Sequence, residues 1–70
     1  MDWCDVDDIL YDGTADEIRR VRCPNCGGNI SFSYSIDTFT KMCTSCGEIE
    51  VNSKSPIPNC VNIFGNKYTL

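Results

Sequence analysis

The sequence predicts a small metal-stabilised domain built on a three-stranded antiparallel sheet, with a short N-terminal helical segment and a C-terminal β-hairpin. Three observations support this prediction. The chain has 70 residues, a length at which a hydrophobic core alone rarely folds a domain. It contains six cysteines and no histidine, and four of the cysteines form two C-x-x-C-G elements. Between and after these elements, apolar and polar residues alternate with the period of a strand.

Residues 1–19 are predicted to form an acidic helical extension. Apolar residues recur at helical spacing from Trp3 to Leu10, and acidic residues lie near the start, where the helix dipole favours negative charge. The motif TADE at residues 14–17 has the pattern of a capping box and begins a second short helix. For residues 19–22 the sequence supports helix and strand alike. The side chains expected to pack on the sheet are those of Trp3, Val6 and Leu10.

The two cysteine elements read CPNCGG and CTSCGE, and sixteen residues separate their cysteine pairs. Two cysteines with this spacing can direct both sulfurs to one point if the backbone makes a tight knuckle, and the glycine after each pair suits the left-handed position that ends it. A tetrahedral Zn²⁺ site needs four ligands. A catalytic dithiol would instead need one motif opening a helix, whereas both motifs here are followed by glycine and strand-like sequence. We therefore predict one structural Zn²⁺, and its candidate ligands are Cys23, Cys26, Cys43 and Cys46.

Three strands are predicted around these elements. From residue 29 to residue 36 apolar residues alternate with serines, so that Ile30, Phe32, Tyr34 and Ile36 share one face. A turn at residues 37–38 leads into a second strand at 39–42, and a third strand is expected at 48–51. The expected metal lies at one end of this sheet.

The stretch CPNCGG…CTSCGEIEV resembles the zinc-ribbon superfamily, which includes ribbons of transcription initiation factors, of RNA polymerase small subunits and of small CPxCG proteins. The resemblance covers the ribbon core at residues 20–52. The length of the chain predicts a single domain over residues 1–70, in which the acidic extension at 1–19 and a loop plus hairpin at 53–70 flank this core. The resemblance implies that the four cysteines of the two motifs are the metal ligands. It does not fix the function, because zinc ribbons serve nucleic acids, proteins and plain stability alike.

The C-terminal segment is predicted to be a loop at residues 53–58 followed by a β-hairpin. The stretch from Val61 to Leu70 alternates around a Gly65-Asn66 turn, which would place Ile63 opposite Tyr68. Such a hairpin is unstable alone and has to dock on the ribbon or on a partner.

Cys4 and Cys60 lie outside the two motifs. Our main interpretation treats both as small buried hydrophobic residues. A disulfide between them and a metal site completed by a second chain remain alternatives.

Several functional classes are disfavoured by composition. The chain has no histidine for acid–base chemistry, and a four-cysteine site leaves no position for a catalytic water, so we expect no enzymatic activity. The first residues lack a basic leader and an apolar segment, and no apolar run has the length of a membrane span. We therefore expect a cytoplasmic protein with reduced thiols and no membrane partner; the sequence leaves the oligomeric state open.

The expected partner is another protein, to which the chain would act as an interaction or adaptor module. Nucleic-acid binding is the alternative, based on three arginines beside the first knuckle, three lysines, and aromatic rings that could stack on bases. The basic residues are Arg19, Arg20, Arg22, Lys41, Lys54 and Lys67, and the aromatic ones are Phe32, Tyr34 and Phe39. The formal net charge of −4 disfavours this alternative. We also expect the acidic first segment, which holds seven acidic residues and no basic ones among residues 1–18, to lie near these arginines. A remote alternative is an iron electron carrier similar to rubredoxin, although rubredoxin knuckles are usually farther apart.

Overall fold

The computed structural model describes residues 2–70, which form three helices and four strands. In chain order these are α1 (Trp3–Asp12), α2 (Ala15–Arg19), β1 (Ile30–Ser35), β2 (Thr38–Cys43), β3 (Ile49–Asn52), α3 (Asn59–Phe64) and β4 (Lys67–Thr69). The strands form one antiparallel sheet in the order β3-β2-β1-β4. The predicted antiparallel sheet is confirmed, but its strand number is wrong, because the sheet has four strands and not three.

The β1–β2 hairpin follows the predicted alternation. Its two turn residues, Ile36 and Asp37, have φ angles of 47° and 63°, as a two-residue hairpin of the right twist requires. Ile30 and Phe32 are buried on the inner face of the sheet, and Tyr34 is half-buried there. Ile36 leaves this pattern because it belongs to the turn, where its side chain is 92% exposed.

The predicted C-terminal hairpin is wrong. Residues 59–64 form helix α3, which Gly65 ends with its N–H donating to Val61 O at 2.9 Å. Strand β4 then pairs with β1, so that Tyr68 lies opposite Phe32 and not opposite Ile63. The physical reason is burial: as a helix, this segment places Cys60 and Val61 in the core, while β4 satisfies the edge of β1 that a separate hairpin would leave open.

The N-terminal helices confirm the predicted helical extension. Asp2 caps α1 through a capping box with Asp5, and Thr14 caps α2 through the predicted box with Glu17. Residues 21–22, after the turn at Arg20 that ends α2, are neither helix nor strand. None of the three helices within residues 2–70 has the length and apolar content needed to span a lipid bilayer.

One hydrophobic core lies between the helices and the inner face of the sheet. Val6 and Leu10 of α1 are fully buried in it, and Trp3 packs at its margin, as expected. The ring of Tyr11 meets that of Phe39 edge-on, with centroids 5.5 Å apart. The remaining buried members are Ile18, Val21, Cys23, Ile30, Phe32, Cys43, Cys60 and Val61.

A buried ion pair joins α1 to the sheet. The side chain of Lys41 in β2 is fully buried, and its ammonium donates a hydrogen bond to Asp7 in α1. With its amide oxygen directed at the cation, Asn52 of β3 accepts from Lys41 Nζ at 3.1 Å and from the Tyr11 hydroxyl at 3.3 Å. The Tyr11 hydroxyl also contacts Ser55 Oγ, which donates to a backbone carbonyl. This network orients α1 on the sheet.

We predict that Asp7→Ala lowers the free energy of unfolding by about 3 kcal/mol, because it leaves the ammonium of Lys41 buried without an anion. Urea titration of the metal-saturated chain, followed by circular dichroism, measures this. Asp8→Ala is the control: Asp8 is exposed on the same helix, and its loss should change the free energy by less than about 0.5 kcal/mol. Equal effects of the two variants would contradict the role given to the ion pair.

Candidate metal centre

The first knuckle is a tight turn that begins at Cys23. The N–H of Gly27 donates to Cys23 O at 2.8 Å, and Gly27 has a φ of 77°, which favours glycine. The backbone N–H of Asn25 donates to Cys23 Sγ at 3.4 Å. The turn thus folds the chain back so that both sulfurs of the pair face the same side.

The second knuckle repeats this geometry at the end of β2. The N–H of Gly47 donates to Cys43 O at 3.2 Å, and Gly47 has a φ of 79°. The backbone N–H groups of Ser45 and Cys46 each donate to Cys43 Sγ at 3.3 Å. Because Cys43 is the last residue of β2 and its N–H donates to Glu48 O at 2.8 Å, the sheet fixes the position of this knuckle.

The four sulfurs of the two knuckles converge on one point. Their Sγ atoms all lie within 4.8 Å of one another. The distances are 3.7 Å between Cys23 and Cys46 and 3.4 Å between Cys26 and Cys43. A tetrahedral zinc site with Zn–S bonds of 2.3 Å has sulfurs about 3.8 Å apart, whereas a disulfide holds them near 2.05 Å. The cluster is therefore compatible with a four-cysteine metal site.

Contacts between the knuckles hold the cluster together, and the sequence analysis did not identify them. Thr44 donates to Asn29 O through its N–H at 2.9 Å and through its hydroxyl at 3.1 Å. Gly28 lies so close to the second knuckle that a Cβ atom there would be 2.5 Å from Ser45 Oγ and 3.2 Å from Cys43 Sγ. The sequence does contain one indication of this close approach, the second glycine of CPNCGG. The turn itself needs only the first glycine, so the second points to a neighbouring chain segment.

The thiols of the cluster differ in acidity. The N–H groups of Cys46 and then Ser45 donate to Cys43 Sγ and lower the pKa of Cys43 to about 6. The N–H of Gly28 acts in the same direction on Cys26, but the neighbouring thiols of Cys43 and Cys46 outweigh it and raise the pKa of Cys26 to about 12. A metal ion has to displace the protons that remain, so its binding releases protons and weakens as the pH falls.

The two remaining cysteines lie apart from the cluster. Cys60 in α3 is fully buried, as predicted, and burial raises its pKa to about 12. Cys4 in α1 is exposed, so its predicted burial is wrong: on the helix it follows Trp3 on the solvent side of the stripe formed by Val6 and Leu10. Neither is part of a disulfide.

Three of the residues proposed for nucleic-acid contact are buried. Lys41 is fully buried, and the rings of Phe32 and Phe39 are buried in the core. Arg19 lies over the Phe64 ring at 5.7 Å, and Arg22 donates to two backbone carbonyls. The expected contact of the acidic segment with the arginines is limited to one exposed pair, Arg19 with Asp16 at 3.9 Å, within residues 2–70.

Comparison with protein-family models, with curated proteins and with solved structures finds no match to this chain. The case for a metal centre therefore depends on the geometry of the four sulfurs. Two cysteines of the cluster, Cys23 and Cys43, are buried, and the other two, Cys26 and Cys46, are exposed. One side of the cluster thus faces the core and the other faces solvent.

We predict that Gly28→Ala weakens zinc binding on the order of tenfold, because its methyl group would push the two knuckles apart. Competition with a chromophoric chelator measures the affinity. Ser45→Gly removes the atoms with which that methyl group collides, so the double variant should recover most of the affinity. An undiminished affinity in Gly28→Ala would show that the close approach is unimportant.

We predict that iodoacetamide at pH 8 modifies Cys4 in the zinc-loaded chain and leaves Cys60 intact. With a pKa of about 12, Cys60 is a neutral thiol at this pH, and the thiolate is the reactive form. Peptide mass mapping after quenching measures the modification. The chelated, urea-unfolded chain is the control, in which both react; equal rates at both cysteines in the folded chain would refute the prediction.

Proposed function

We propose that this protein is a small non-enzymatic module that folds around one structural Zn²⁺ and acts as an interaction or adaptor module for another protein. The observation on which the proposal depends is the convergence of four Sγ atoms within 4.8 Å. Cys23, Cys26, Cys43 and Cys46 would be the ligands. The bound ion would tie the two knuckles together, and in small domains this stabilises the fold by on the order of 10–16 kcal/mol.

A structural role for the ion is favoured over a catalytic one by the ligand set. Four protein thiolates complete a tetrahedral zinc site and leave no position for a water or a substrate. The chain also has no histidine to act as a general acid or base. These features support a module without enzymatic activity.

Four thiolates can bind iron as well as zinc. Zinc is favoured because it prefers tetrahedral thiolate sites and has no redox chemistry of its own to require a protected environment. The exposed positions of Cys26 and Cys46 would leave an iron centre open to solvent on one side.

A protein partner is favoured by the outer face of the sheet, which is the face turned away from the helices. Met42, Ile49 and Val51 are 40%, 56% and 53% exposed there. They adjoin hydroxyl-bearing side chains, and Lys67 is the one charged residue on this face of the four described strands. A partly apolar sheet face with a single charged residue is suited to a protein surface and offers little to phosphates. The burial of Lys41, Phe32 and Phe39 also weighs against nucleic-acid binding.

We predict that native mass spectrometry detects one zinc ion per chain and that a strong chelator unfolds the domain, as measured by circular dichroism. Cys43→Ser should lose the ion because it removes one of the four ligands. Cys4→Ser is the matched control, and it should retain one zinc, because Cys4 lies outside the cluster.

Two results would overturn the proposal. Full zinc occupancy in the Cys43→Ser variant would show that these cysteines are not the ligands. A red iron form with reversible reduction, obtained in preference to the zinc form from cells supplied with both metals, would support an electron carrier instead.

A further inference from the structure

We propose that the free edge of β3 binds an extended segment of a partner protein in which aliphatic and basic residues alternate. The segment would add a fifth, antiparallel strand to the sheet. This inference rests on the proposed function, because it names the surface and the chemistry of the protein partner. Four features of the β3 edge support this inference. They are its backbone hydrogen-bonding groups, its apolar outer side, its acidic inner side and a groove at its start.

The backbone of β3 presents, at the edge, hydrogen-bonding groups that no neighbouring strand pairs. Cys43 N–H donates to Glu48 O, so the hydrogen-bonded pairs of the β2–β3 ladder are Cys43 with Glu48 and, two residues on, Lys41 with Glu50. The backbone groups of Ile49 and Val51 therefore point away from β2. Within residues 2–70, no loop or turn backbone forms a hydrogen bond with them. In the orientation that accepts from Lys41, the side-chain amide of Asn52 donates to Val51 O at 3.3 Å, so that Val51 N–H and both backbone groups of Ile49 are the ones left for an added strand.

The outer side of this edge is apolar. Ile49 and Val51 both place their side chains on the outer face, and Met42 lies directly opposite Ile49 on β2. Side chains of hydrogen-bonded partners in adjacent strands lie on the same face. The residues of the incoming segment that pair with Ile49 and Val51 would consequently be aliphatic.

The inner side of the same edge is acidic. Glu50 lies opposite Lys41 and is half-buried, but the cation of Lys41 is bound to Asp7. Neither Glu48 nor Glu50 forms a salt bridge within the described part of the chain. Helix α1 contacts this side through Asp7, and its ten residues include four aspartates and no basic residue. The intervening residues of the segment, which point to this side, would therefore be lysine or arginine.

A shallow groove at the start of β3 also favours a lysine or arginine side chain. It has a volume of about 220 Å³ and is lined by Asp2, Trp3, Pro24, Asn25 and Glu48. Its two carboxylates and its indole ring are the groups that bind a cationic side chain, by charge and by cation–π contact. A strand that runs along β3 past Ile49 reaches this groove at Glu48.

The opposite edge of the sheet, which β4 forms, is less suited to the addition of a strand. Strand β4 has three residues, one fewer than β3, and its outward-directed positions are Lys67 and Thr69. A short strand bearing lysine is a common protection against strand addition. Among the described strands, the β3 edge is thus the one that lacks this protection.

Charge selects a partner protein over a second copy of this chain. If two β3 strands paired about Glu50, the two carboxylates would lie opposite each other, which is destabilising. Other registers would still bring two acidic helices α1 to the same side of the joint. A basic segment removes this repulsion and gains attraction, so its binding should weaken as salt is added.

The probe for the test is the synthetic peptide acetyl-Thr-Val-Lys-Val-Lys-Val-Lys-Thr-amide, titrated into the ¹⁵N-labelled, zinc-loaded full chain. We expect the amide signals of Ile49 and Val51 to shift most. A peptide with glutamate in place of lysine should bind at least about tenfold more weakly. N-methylation of the valine amides, which would face β3, should abolish binding, whereas N-methylation of the lysine amides should not.

Two variants of the protein test the edge directly. Val51→Pro removes an outward-directed donor without removing a bond to β2, and it should weaken peptide binding at least about tenfold. Thr69→Pro makes the matched change at the β4 edge and should leave binding intact. If proline disturbs the fold, Val51→Lys gives the same test, because an exposed lysine repels the basic peptide.

Zinc stoichiometry is measured on the same samples, which separates the two proposals. A zinc-loaded chain that does not bind the peptide, or binds the glutamate version equally well, overturns the edge proposal alone. So does concentration-dependent self-association through Ile49 and Val51, or an oligonucleotide that binds where the peptide does not. A chain that holds no zinc overturns the proposed function itself.

Discussion

Because the β1–β2 hairpin closes through two residues, Ile36 and Asp37, the pairing of the two strands is fixed and Ile30 lies opposite Cys43. This register brings the knuckle before β1 beside the knuckle after β2. A slip by one residue would separate the two cysteine pairs and would also turn Lys41 from the core to the outer face. The four-cysteine cluster and the buried ion pair therefore depend on the same hairpin.

The sheet is fixed at both of its ends. At one end the four sulfurs converge, and at the other the polar network of Lys41, Asn52 and Ser55 joins α1 to β2, β3 and the following loop. Ser55 N–H also donates to Asp37 O at 2.7 Å, which ties that loop to the hairpin turn. A core of this size gains from such fixed points, because it buries too little apolar surface to hold a unique structure by itself.

The parts of the structure that were predicted correctly are those encoded locally. The cysteine spacing, the alternation from Ile30 to Tyr34 and the capping box at Thr14 each specify their geometry within a few residues. Helix α3 was missed because residues 61–70 fit a hairpin pattern equally well, and the choice depends on burial of Cys60 and on the open edge of β1.

The burial of Lys41 could have been predicted from the alternation of residues in β2. It shares the period of two with Phe39 and Cys43, so the strand pattern already placed it on the inner face. The nucleic-acid alternative required Lys41 to be exposed and so disregarded this pattern. Its partner, Asp7, is 34 residues away in the chain, and no local pattern could have identified it.

The turn at residues 36–37 has a consequence for how the chain folds. Hairpins of this type favour asparagine and glycine, whereas Ile36 is β-branched and has a φ of 47°, a conformation that costs about 1–2 kcal/mol. Such a turn cannot nucleate the hairpin by local preference. We therefore expect the contacts at the opposite end, where Ile30 lies opposite Cys43 and the sulfurs meet, to contribute more than the turn to the formation of the hairpin.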